Sequence, residues 1–188
     1  SKRDECWTLN VQAVENIINA IGSKKIQLIH LSTDCIFDGT KGCEYDETDE
    51  PNPLSYYAKS KYEAEKIIQQ SKIHWAIART IIVYGIADNM SRSNIVLWAK
   101  DALTKKQAIN VVDDQFRSPT LAEDLADGCI LIATKKAQGV YNLAGPKTFS
   151  ILELVYQVAD FWKLDKSIIT PLKSDTLNQA AKRPTHTG

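Results

Sequence analysis

A tyrosine and a lysine four residues apart on a helix present a phenol and an ammonium on the same face, about one turn apart. The chain offers two such pairs, Tyr57 with Lys61 and Tyr62 with Lys66. A free phenol titrates near 10 and shuttles protons poorly at neutral pH, whereas a neighbouring ammonium stabilises the phenolate and lowers that value. The spacing alone is weak evidence, because roughly 0.7 chance matches are expected from this composition. Either pair also reads as a solvated helix face, so context has to choose.

The surrounding elements supply that context. Val11, Val14, Ile17, Ile18 and Ile21 recur at helical spacing, and Gly22 ends the element as a C-cap glycine would. Residues 25–31 (KIQLIHL) predict a buried strand that runs into Ser32-Thr33-Asp34, the end of a strand where open α/β sheets place their chemistry. Residues 38–54 hold Gly39, Gly42, Pro51, Pro53 and six acidic side chains and predict a loop over the sheet edge. Helix is then expected over 55–71, strand over 75–84, helix over 95–103, strand over 108–112, helix over 121–133 and strand over 139–143. Ser150 and Glu153 form a capping-box pattern opening a helix to about 164, and 168–172 reads as a last short strand, with loop beyond. This alternation predicts an α/β chain with a mostly parallel sheet.

Bulk properties narrow the function. The 188 residues are 44% hydrophobic, and 23 basic residues cancel 23 acidic ones, which removes the electrostatic footprint of a nucleic-acid or anionic-membrane binder. No apolar run reaches membrane-spanning length and no leader pattern opens the chain, so a cytoplasmic protein is expected. Cys6, Cys35, Cys43 and Cys129 form no CxxC, and His30, His74 and His186 are scattered, so neither a metal site nor a disulfide framework is indicated.

Residues 28–39 (LIHLSTDCIFDG), then Glu47, Pro51, Pro53, Tyr57-Ala58-Lys59-Ser60-Lys61 and Glu65, resemble the extended short-chain dehydrogenase/reductases, and among them the dTDP-4-dehydrorhamnose reductases. The similarity continues through Arg79-Thr80 with Val83-Tyr84-Gly85, through 113–120 (DDQFRSPT) with Glu123-Asp124-Leu125-Ala126, and through Gly139-Val140-Tyr141-Asn142 and Arg183-Pro184. It implies a Rossmann-like sheet with a small C-terminal α/β lobe, divided into a catalytic part over 1–115 and a substrate-binding lobe with returning sheet elements over 116–188. It also selects Tyr57 over Tyr62 and implies a catalytic set of Thr33, Tyr57 and Lys61. The implied reaction is reduction of a nucleotide-linked 4-ketosugar, with hydride from NADP(H) or NAD(H) and a proton from Tyr57. Lys61 would hold the nicotinamide ribose and lower the Tyr57 pKa, Thr33 would orient the carbonyl, and Asn10 would support the cofactor site from behind. Asn94 and Arg117 fall where relatives contact the nucleotide diphosphate, and Asp34, Cys35 and Ile82 fall in the sugar pocket. As bare residues, Thr33 could equally satisfy local backbone groups, Asn10 could be an N-cap, and Arg117 could pair with Asp113 or Asp114 at the surface.

Two departures matter. No glycines stand at GxGxxG or GxxGxxG spacing, so the dinucleotide-binding turn is expected to lie outside these residues, and the piece as given should bind NADPH poorly. The family patterns S-T-D-Y and R-T-S-W-V-Y carry Cys35 and Ile82 here in place of Tyr and Trp, which widens the pocket and removes two polar handles. A ketosugar other than dTDP-4-dehydrorhamnose is therefore expected. The expected partners are a nucleotide-sugar and at most a second copy of the chain, with neither nucleic acid nor membrane. Two other readings stay open, a nucleotide-sugar epimerase or dehydratase, and a non-catalytic regulatory protein like the β-subunit of methionine adenosyltransferase. Only one acidic residue, Asp34, adjoins Thr33, which counts against a dehydratase.

Overall fold

The computed structural model describes residues 1–87, 93–176 and 183–187. In chain order the elements are helix α1 (Lys2–Trp7), a π turn (Thr8–Gln12), α2 (Ala13–Ile21), strand β1 (Gln27–Thr33), α3 (Tyr56–Gln70), β2 (His74–Thr80) and β3 (Val83–Tyr84). They continue with α4 (Ile95–Thr104), β4 (Ile109–Val112), β5 (Phe116–Arg117), β6 (Thr120–Leu121), α5 (Ala122–Lys135), β7 (Gly139–Asn142), β8 (Phe149–Ser150), α6 (Ile151–Trp162) and β9 (Ile169–Leu172).

Local chemistry sets these boundaries. Ser55 accepts the Ala58 amide to start α3, Asn94 accepts the Leu97 amide to start α4, and Ser150 with Glu153 forms the capping box at the head of α6. Gly22, at φ +52°, stops α2. The first helix begins at Lys2 rather than near Val11, because Ser1 and Asp4 form a capping box of their own ahead of the apolar periodicity. The strand expected over 75–84 breaks after Thr80, where Ile82 takes a φ of +36°, and resumes as β3 in a separate sheet.

β1, β2 and β7 form a parallel sheet in the order β1-β2-β7, with Thr33 level with Thr80 at one end. β3–β6 and β4–β9 are parallel pairs, while β5–β8 is antiparallel. Two apolar cores lie beneath these strands. Val14, Ala64, Ile68 and Ile77 join α2 and α3 to the three-stranded sheet. A second core of Ala99, Leu103, Val111, Val155, Val158 and Ile169 joins α4 and α6 to the β4–β9 pair. Between α3 and β2, Arg79 and Glu65 form a two-pronged ion pair (Nη2–Oε2 2.8 Å, Nε–Oε1 3.2 Å), with side chains 5% and 0% exposed. Among the described residues, no helix is long and apolar enough to cross a membrane.

Candidate active site

A cleft of about 680 Å³ lies beyond the Thr33 end of β1, between the two cores. Parallel strands with their carboxyl ends at one edge create such a crevice, and here it gathers side chains from distant parts of the chain. Thr33, Asp34 and Cys35 come from the end of β1, Tyr57 from the first turn of α3, and Ile81 and Ile82 from the break after β2. Trp98 lines it from α4, Val111 from β4, Arg117 from β5 and Pro184 from the segment beyond β9.

The Thr33 hydroxyl donates to Asp34 Oδ1 (3.1 Å) and accepts the Cys35 amide (3.2 Å), so a short 3₁₀ turn, Asp34–Ile36, locks it at the strand end. Ser32, one residue earlier, keeps a buried hydroxyl with no hydrogen-bond partner among the described residues on the same cleft. Tyr57 is 48% exposed. Its phenol is nonetheless pushed above the ordinary value, chiefly by desolvation, with the Asp34 side chain adding to it and the Thr33 hydroxyl pulling the other way.

The expected lowering of the Tyr57 pKa by Lys61 is therefore corrected. The Lys61 ammonium is held by the Leu31 carbonyl (2.7 Å) and His30 Nε2 (3.3 Å). It is turned along β1 rather than onto the phenol, and burial lowers its own pKa. Because an ammonium can only donate, His30 Nε2 must be the acceptor, which places the imidazole proton on Nδ1. Burial, reinforced by the Lys61 charge, lowers the His30 pKa to about 4. The unfolded His30 binds a proton near pH 6.5 and the folded one only near 4, so stability is expected to fall as the pH drops through that window. The loss should reach at most about 3 kcal/mol. Urea titrations at pH 7, 5.5 and 4.5 check this, and His30→Gln should flatten the dependence.

The other sequence-derived residues divide into two groups. Asp34, Cys35, Ile82 and Arg117 line the cleft. Burial, with Asp34 adding to it, pushes the Cys35 thiol up to about 11 and keeps it neutral. Arg117 forms neither of the expected surface pairs; it is buried, with its guanidinium on the Phe116, Pro184 and Thr185 carbonyls and its Nε 4.0 Å from Asp34. Asn10 stands behind the wall, where its amide donates to Ser60 Oγ (2.9 Å), so it braces α3 and is not an N-cap. Asn94 does not line the cleft; its side chain caps α4 and donates to the Gly85 carbonyl (2.7 Å). Trp98 in the cleft wall and His30 beside Lys61 carry no local signal in the sequence, since their roles rest on contacts across the fold, whereas Pro184 belongs to the Arg183-Pro184 motif quoted above.

A parallel sheet whose strand-end hydroxyl faces a Tyr-x-x-x-Lys helix across one cleft is the framework of the extended short-chain dehydrogenase/reductases, and the chain has that Rossmann-like form. More narrowly, it belongs to the RmlD substrate binding domain family, whose model matches residues 1–188. Methionine adenosyltransferase 2 subunit beta of Xenopus tropicalis is 31% identical over 182 residues, covering 94% of this chain and 54% of that protein. dTDP-4-dehydrorhamnose reductase of Salmonella typhimurium is 34% identical over 145 residues, covering 74% of this chain and 47% of the relative. The crystal structure of dTDP-4-dehydrorhamnose reductase from Bacillus anthracis in complex with NADP superimposes with a TM-score of 0.91 at 26% identity, covering 98% of this chain and 64% of that one. The chain thus spans about half the length of the curated relatives it matches.

Proposed function

We propose that this chain carries the substrate-binding and proton-transfer part of an NAD(P)H-dependent reductase acting on a nucleotide-linked 4-ketosugar. The observation that carries the reading is the convergence of Thr33 and Tyr57 on one cleft, with Lys61 one helical turn behind Tyr57. The residues present suit the nicotinamide end of a dinucleotide, since a Ser32 hydroxyl unpartnered among the described residues and a phenol border the cleft and an ammonium waits behind it. When bound, the dinucleotide supplies hydride.

The chain's own residues do the rest. The raised pKa keeps Tyr57 protonated across the physiological range, so its phenol oxygen holds the proton that a developing alkoxide needs. The Thr33 hydroxyl, held at the cleft by the turn that follows it, would orient the same carbonyl oxygen by turning its one proton onto it from Asp34 Oδ1. Lys61 would hold ribose hydroxyls once drawn from the Leu31 carbonyl, and Asn10 steadies α3 through Ser60. The apolar wall of Ile81, Ile82 and Trp98 excludes water around the sugar.

Cys35 and Ile82 make the pocket wider and less polar than Tyr and Trp would, and contacts of this kind shift discrimination by about 1–3 kcal/mol each. The favoured substrate is then a ketosugar nucleotide other than dTDP-4-dehydrorhamnose. Comparing kcat/KM with NADPH across a panel of sugar nucleotides, in a protein that joins this chain to a dinucleotide-binding turn, tests both statements. A clear preference for dTDP-4-dehydrorhamnose would show that the two residues are compensated elsewhere. The similarity to methionine adenosyltransferase 2 subunit beta supports a second, non-catalytic reading, which the same panel would favour by showing binding of the nucleotides without turnover.

A further inference from the structure

The segment Arg183–Thr187 reaches the cleft from the far end of the chain and is fastened there by contacts to three separate places. Phe116 donates its amide to the Thr185 carbonyl (2.7 Å) and accepts the Thr187 amide (3.2 Å), and its ring stacks on His186 with centroids 5.7 Å apart. The Thr185 hydroxyl donates to the Gly39 carbonyl (3.1 Å). Gly39 has φ +79°, and a Cβ there would lie 2.7 Å from the Thr185 nitrogen and 2.8 Å from Pro184 Cβ. Only glycine lets the loop and the tail approach this closely.

Two charged side chains complete the fastening. Arg117 donates from Nη2 to the Pro184 carbonyl (2.6 Å) and from Nη1 to the Phe116 (2.6 Å) and Thr185 (3.2 Å) carbonyls. Its Nε faces Asp34 Oδ2 at 4.0 Å, and its side chain is only 6% exposed. Three of the five donors of the guanidinium are thereby engaged on backbone carbonyls, and its Nε side is turned to Asp34. Asp34 receives the hydroxyl of the fully buried Thr187 on Oδ2 and the Thr33 hydroxyl on Oδ1 (3.1 Å). One carboxylate thus bridges the tail and the strand-end threonine, while Arg183 and Pro184 form part of the cleft wall.

We propose that Arg183–Thr187 is a clasp across the cleft, and that Asp34 and Arg117 are positioning residues that fasten it and so hold Thr33, rather than groups that grip a ligand. The fastening stands on the contacts above; its effect on ligand binding rests on the function proposed here. Thr187→Val removes the hydroxyl that reaches Asp34 while keeping the side-chain shape, and Thr187→Ser restores it. By hydrogen–deuterium exchange mass spectrometry, T187V is expected to speed exchange about tenfold in peptides over both 183–187 and 33–37, with β2 and α3 unchanged and T187S near wild type. Unchanged exchange at 33–37, or an equal rise throughout the chain, would overturn the clasp. With dTDP as the probe, T187V and Arg117→Met should each weaken binding about tenfold and together little more, because both act by opening one device. If R117M weakened dTDP binding while the tail stayed protected, Arg117 would be a direct ligand and the proposal would fail. Absence of dTDP binding by the wild type would count against the proposed function alone, since the exchange measurements decide the clasp without any ligand.

Discussion

In a protein that joins this chain to a dinucleotide-binding turn, Tyr57→Phe is expected to lower ketone reduction by about 10²- to 10⁴-fold while cofactor binding changes little, because only the proton donor is removed. The phenol lines the cleft close to Thr33, and its raised pKa keeps it protonated rather than poised as a phenolate. Reduction should accordingly show no loss of the acid form between pH 6 and 9, which a pH profile of the single-turnover rate measures. Tyr62→Phe serves as the internal control. Tyr62 packs on the Ile36, Phe37 and Tyr45 cluster with the Lys66 ammonium 5.4 Å from its ring centroid, a packing arrangement with no access to the cleft lining. A damaging Tyr62 variant alongside a mild Tyr57 one would reverse the assignment of the two pairs.

The second large effect concerns stability. Glu65→Gln or Arg79→Met should each cost about 3–5 kcal/mol, because either leaves one member of a buried ion pair without its counter-charge. Glu65 has no exposed surface, and Arg79 also lies over the Phe37 ring at 5.4 Å, so neither group can escape to water without opening the α3–β2 contact. For a chain of this size that loss corresponds to a fall of about 10 °C in Tm. Replacing both residues together, Glu65→Leu with Arg79→Met, should recover much of it, since no isolated charge then remains. Thermal and urea unfolding of the three variants decides the matter, and single variants as stable as wild type would show that the pair is solvated in solution.

The parts of this architecture that local pattern encodes are legible in the sequence. The alternation of helix and strand, the Ser150–Glu153 box and the placing of Thr33 at a strand end all follow from side-chain period and capping chemistry within a few residues. What escaped the sequence depends on partners far along the chain. Arg117 meets carbonyls 67 and 68 positions away, a separation that leaves no periodic trace; for Asn10 the resemblance implies a place behind the site, and only its partner Ser60, fifty positions away, is not legible. The sense of the Tyr57 shift escaped for a related reason. Spacing puts Lys61 on the correct face, but it cannot reveal that the Leu31 carbonyl and His30 compete for the ammonium.

The backbone at Ile82 bears on how the sugar specificity can be dissected. A β-branched residue at φ +36° costs on the order of 1–3 kcal/mol, and it does so where the side chain lines the cleft. Substitution there changes two quantities at once. Glycine relieves the strain but frees the unfolded chain and empties the wall, while tryptophan fills the wall on a backbone that disfavours it. A change in substrate preference at position 82 would thus mix pocket shape with the rigidity of the β2–β3 junction, and a stability measurement must accompany every kinetic one. Cys35 has no such complication, because it sits in an ordinary 3₁₀ turn. Exchanging Cys35 for tyrosine is therefore the cleaner first step in retuning which sugar this cleft accepts.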